Sequence, residues 1–120
     1  MRLIKLLLVL CLLTPSASIN AAQEVDLVPL RAIRLTGHKT VTTAGTQVQL
    51  SSSSAVFGAC TIKALSTNTG SIWVGLSSVS SSDGFELDAS ESISIDIQGI
   101  AHIYIDSDTN GEGVSYLCVK

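Results

Sequence analysis

Asp106-Ser-Asp108-Thr-Asn110-Gly111 sets oxygen-bearing side chains at alternate positions and a glycine at the sixth. This is how a helix-flanked calcium loop opens: the alternate oxygens ligate the ion and the glycine makes the sharp turn. A complete loop also supplies a bidentate acid at its twelfth position. Counting from Asp106, that position holds Leu117. The flanks, AHIYI and VSYLCV, alternate like strands, whereas the metal loop is flanked by helices. Asp, Asn and Gly are equally the residues of tight turns. The expectation is therefore a hairpin turn joining the last two strands. Asp106, Asp108 and Asn110 are left as weak candidates for a loose, non-helical calcium site.

The other chemistry-bearing residues are few. His38 and His102 lie near no nucleophile in a recognisable motif, and no Gly-x-Ser-x-Gly elbow is present. Asp83, Glu86, Asp88 and Glu91 gather around one hairpin. Paired carboxylates can hydrolyse glycosides, but that chemistry needs a cleft. With five aromatic residues in the chain, sugar-stacking platforms are scarce. A solvated acidic edge that limits strand-to-strand aggregation is the better reading. No catalytic constellation and no cofactor site is expected. Trp73, in SIWVG, either faces the core or is exposed while Ile72 and Val74 are buried, and an exposed Trp would be an interface candidate. Cys60 and Cys118 sit in strand-like runs, either bridged across strands or packed as free thiols.

The chain has 120 residues, enough for one domain. Residues 1–22 carry Arg2 and Lys5, then the apolar run Leu6–Leu13, then Pro15 and small residues, the layout of a secretory leader. Cleavage after Ser18, Ala21 or Ala22 fits equally, and an uncleaved anchor or a buried helix is the alternative. The apolar run is too short to span a bilayer, so no stable membrane span is expected once the leader is removed. Beyond residue 22 there are five basic and ten acidic side chains, a net charge of −5. That balance argues against nucleic acid as a partner.

Residues 23–38 read as an extended arm or edge strand around Pro29, and residues 39–120 as the folded domain. There, short period-2 runs are separated by Gly-containing turns: 39–43, 46–50, 60–65, 71–75, 84–87, 92–97, 101–106 and 114–120. ESISIDI is the clearest, with Ile93, Ile95 and Ile97 on one face. In AHIYID, Ile103 and Ile105 are the inward positions and His102 faces solvent. The pattern predicts an all-β fold, a single antiparallel β-sandwich, jelly-roll-like, of about eight short strands.

The order of several short motifs resembles a small β-sandwich module of tailed-phage virion proteins, over residues 45–120. The carriers are Gly-Thr-x-Val-x-Leu (Gly45–Leu50), Cys60 through Asn68-Thr-Gly70, and Trp73-Val-Gly75. Gly84–Leu87, Glu91–Ile93, Ile103–Asp106 and Gly111–Leu117 follow in order. Each motif is unspecific alone; their order and spacing are more so. The resemblance implies a non-enzymatic structural or attachment role on a virion surface, such as capsid decoration, a fibre or a spike. It implies a turn at 106–113, and as partners other virion proteins or further copies of the chain. The leader departs from that pattern and points to export, to a membrane-assembled virus, or to a host protein. A secreted bacterial adhesion or carbohydrate-binding module is the alternative.

Overall fold

The structure, a computed structural model, describes residues 33–120. The predicted leader and most of the predicted arm lie outside the described residues. The strands are β1 (Ile33–Val41), β2 (Val48–Gln49), β3 (Ala59–Ala64), β4 (Ile72–Gly75), β5 (Phe85–Leu87), β6 (Ser92–Ile95), β7 (Tyr104–Ser107) and β8 (Glu112–Val119). A 3₁₀ turn, Ile100–His102, precedes β7. It takes up the start of the run predicted as a strand from residue 101. His102 is exposed on this turn, while Ile103 and Ile105 are buried. Among the described residues, no helix is long and apolar enough to cross a membrane.

The strands form two four-stranded antiparallel sheets. Sheet I has the order β1-β8-β3-β6 and sheet II the order β2-β7-β4-β5. In sequence order the pairs β1–β8, β2–β7, β3–β6 and β4–β5 nest inside one another. The chain is thus one long two-stranded ribbon, doubled back at the β4–β5 turn and wrapped on itself. Wrapping adds the remaining pairs, β3–β8 and β4–β7. An eight-stranded double sheet of this order is a jelly roll.

Alternation sets which side chains enter the space between the sheets. In β3, Cys60, Ile62 and Ala64 point in, while Thr61 and Lys63 point out. In β8 the inward set is Val114, Tyr116 and Cys118. Sheet II contributes Ile72, Val74, Leu87 and Ile105, and Leu50, Phe57 and Ile100 close the ends of the core. Each fully buried Ile or Leu is worth about 1.5–3 kcal/mol relative to an exposed one. Tyr116 and Gly37 are cross-strand partners, and the ring occupies the space a side chain at 37 would need.

The segment read as an extended arm or edge strand supplies the start of an edge strand: β1 begins at Ile33, and its partner is the last strand. One expectation is corrected here. The turn after β7 does not close a hairpin. β7 belongs to sheet II and β8 to sheet I, so residues 108–111 carry the chain across the top of the sandwich.

Candidate functional site

The crossover from β7 to β8 disperses the three candidate calcium ligands. Asp106 is buried, 4% exposed, and its Oδ1 accepts from the Ser107 N–H at 2.8 Å. Asp108 is exposed and accepts from the Thr109 hydroxyl. Asn110 Oδ1 accepts from the Ala44 N–H at 2.7 Å, fastening the crossover to the turn after β1. Gly111 takes φ +88° and its N–H donates to Val41, which turns the chain into β8. Among the described residues, no group of three or more His, Cys, Asp and Glu side chains is placed to hold a metal ion.

A polar clip sits beside this crossover. Glu112 is 5% exposed, and its carboxylate accepts from the Thr69 N–H at 2.8 and 3.1 Å and from the Thr69 hydroxyl at 3.0 Å. Asn68, one residue back, pairs its side-chain amide with both backbone groups of Gly113, at 2.9 and 3.0 Å. The amide thus acts as a short extra length of strand. Together the two side chains pin the Asn68-Thr-Gly70 turn to the start of β8. Sequence reasoning missed this clip, although one signal was available. Glu112 has the same parity as Val114, Tyr116 and Cys118, so alternation turns it inward, where a carboxylate needs donors.

Trp73 follows neither of the two expected arrangements. Ile72 and Val74 point into the core, so Trp73 projects from the outer face of sheet II, yet it is only 8% exposed. Its cover is the β4–β5 turn, whose Val79 is also buried. Gly75 and Gly84 make room: a Cβ on either would fall within 3 Å of Val79, and one on Gly84 would meet Trp73 Cβ at 2.5 Å. Trp73 therefore holds this turn down and offers little free surface.

The acidic residues of the same hairpin are exposed. The Ser71 hydroxyl lies within hydrogen-bond reach of Glu86 Oε1 at 2.9 Å and of Asp88 Oδ1 at 2.8 Å. Glu91 accepts from the Asp88 N–H, and Asp83 from the N–H and hydroxyl of Ser80. Every one of these donors is neutral.

On sheet I, Cys60 and Cys118 face each other in the β3–β8 register and are joined by a disulfide inside the core. On the opposite, outer face of the same sheet is an open depression of about 330 Å³. Thr36, Thr61, Ser115 and His38 line it together with Lys63 and Leu117. His38 neighbours Ser115 across the strand, and Thr36 neighbours Leu117. These side chains supply hydroxyl and imidazole groups on a flat strand surface. Among the described residues, no acid lines the depression, and no Ser or Thr hydroxyl there has a hydrogen bond to His38.

No family model matches the chain, and no curated protein or solved structure matches it.

Proposed function

We propose that this protein is a non-enzymatic structural or attachment component of a virion surface, of the decoration, fibre or spike type. The observation that carries the reading is the strand order, β1-β8-β3-β6 over β2-β7-β4-β5. Jelly rolls of this kind serve as viral capsid and lectin domains. The order of motifs from Gly45 to Leu117 supports the virion side of that pair. Mass spectrometry of purified virions, and of culture supernatant, tests it. Peptides from the β-sandwich in particles, at a stoichiometry matching a surface component, are the expected result. Their confinement to supernatant or cell envelope would overturn it.

A second reading, a secreted adhesion or carbohydrate-binding module, is favoured by the depression on sheet I. Its hydroxyls and imidazole suit sugar hydroxyl groups. Glycan-array binding lost on Lys63→Ala and His38→Ala would support it, and an array without a signal would remove it.

A further inference from the structure

The open flanks of the sandwich differ in charge. β1 and β2 border one flank, and β6 and β5 border the other, because β1 lies over β7 and β8 over β4. Among the described residues the lysines and arginines are Arg34, Lys39, Lys63 and Lys120. Arg34 and Lys39 are on β1, and Lys120 follows Val119, the register partner of Ile33. The acids take the other side. Six are exposed, and five of them, Asp83, Glu86, Asp88, Glu91 and Asp96, lie on or beside β5 and β6. Those with hydrogen bonds have neutral donors, and of the described cations Lys63 is on β3, the strand next to β6.

Each flank also carries what a strand-edge contact needs. β1 is nine residues long and β6 four, and among the described residues each pairs on one side only. Among the described residues their other backbone edges have no strand partner in the sheet, which makes them templates for pairing. A large apolar side chain stands at each flank: Ile33, 62% exposed, on β1, and Phe85, 55% exposed, on β5.

We infer that the protein associates head to tail with further copies of itself, the acidic β5–β6 flank of one copy against the basic β1 flank of the next. Strand direction fits. β1 and β3 run one way and β8 and β6 the other, so β6 meets the neighbour's β1 antiparallel when the copies share one orientation. Sheet I then continues from copy to copy. The contact joins two different surfaces, so repeated use gives a ring or a filament and not a twofold dimer. Charge also sets the choice of partner: two β5–β6 flanks repel, whereas a β5–β6 flank and a β1 flank attract.

This deepens the structural reading above by naming the contact, and its test reads assembly alone, whereas the virion experiment reads location. Sedimentation velocity is measured on protein purified from cells expressing the full chain. It is run at about 20 mM and about 500 mM salt, between which the screening length falls from roughly 20 Å to roughly 4 Å. Assemblies larger than a dimer are expected at low salt, with self-association at least about tenfold weaker at high salt. Arg34→Glu with Lys39→Glu makes both flanks acidic, and Glu86→Lys, Glu91→Lys and Asp96→Lys together leave three lysines against Asp83 and Asp88 and make both basic. Each variant alone should sediment as a monomer, and their equimolar mixture should assemble, because every contact in it again joins opposite charges. A monomeric wild-type protein at both salt levels would overturn the inference. So would assembly that persists in either variant, a species closed at two copies, or folded variants that stay monomeric on mixing. The wild-type salt series stands by itself if a charge-reversed variant does not fold.

Discussion

Removing the Cys60–Cys118 bridge should lower stability by an amount set mainly by the loop it closes. The two residues are 58 apart in sequence. In the chain-entropy account, opening a loop of that length frees the unfolded chain by about 4 kcal/mol at 25 °C. In a domain of this size, 1 kcal/mol moves the melting temperature by roughly 4–8 °C. Cys60→Ala with Cys118→Ala should therefore melt roughly 15–30 °C below the oxidised protein. Deleting two buried sulfurs adds a packing loss of about 1 kcal/mol, so the reduced wild-type protein is the control that isolates the covalent part. Both sulfurs are buried, so a reductant reaches them only in opened molecules. Reduction is best carried out in denaturant, followed by refolding with reductant present. Circular dichroism melts of the three species give the answer. A double variant melting within about 5 °C of the oxidised protein would refute the loop-entropy reasoning. Two free thiols in a non-reducing peptide map would remove its premise.

The remaining predictions are simpler. Glu112→Gln keeps the shape of the clip but turns an amide toward the Thr69 donors, and should cost about 1–3 kcal/mol in a denaturant titration; an unchanged midpoint would show that the clip contributes nothing. Trp73 is the sole tryptophan, so intrinsic fluorescence reports it directly. Emission should be blue-shifted and poorly quenched by acrylamide, and free quenching would place the ring in solvent. Gly84→Ala puts a methyl group against Trp73 and Val79, and should destabilise by about 1–3 kcal/mol while red-shifting that emission. A chelator should leave the melting temperature unchanged, and a rise on adding millimolar calcium would restore Asp106, Asp108 and Asn110 as ligands.

Much of the sandwich was legible because its inward positions are large and aliphatic. ESISIDI and ACTIKA show their buried faces directly, and β6 and β3 lie inside the predicted runs or within a residue of them. β1 was only partly legible, for a physical reason. Its inward positions are Leu35, Gly37, Lys39 and Val41, so the period-2 pattern persists but two of its four inward residues are not hydrophobic. Gly37 is tolerated because Tyr116 fills its place from the next strand, a fact no local window contains. Trp73 misled for a related reason. Alternation decides which face a residue takes, and the folding back of a turn decides whether that face is covered. The clip of Asn68 and Glu112 joins residues more than forty positions apart, and local pattern says nothing of such distances.

β8 is the last strand in chain order, yet it lies between β1 and β3 in sheet I. Until it arrives, β1 has no neighbour in its sheet, β3 has only β6, and Cys60 has no thiol to meet. As the chain is synthesised, the earlier strands must wait with their edges and apolar faces open until β8 has emerged. Contacts this distant in sequence also make folding slow and leave the waiting chain open to misassociation. A ribosome stalled before β8 would hold a chain with nearly all its core residues made and half its sandwich unable to form.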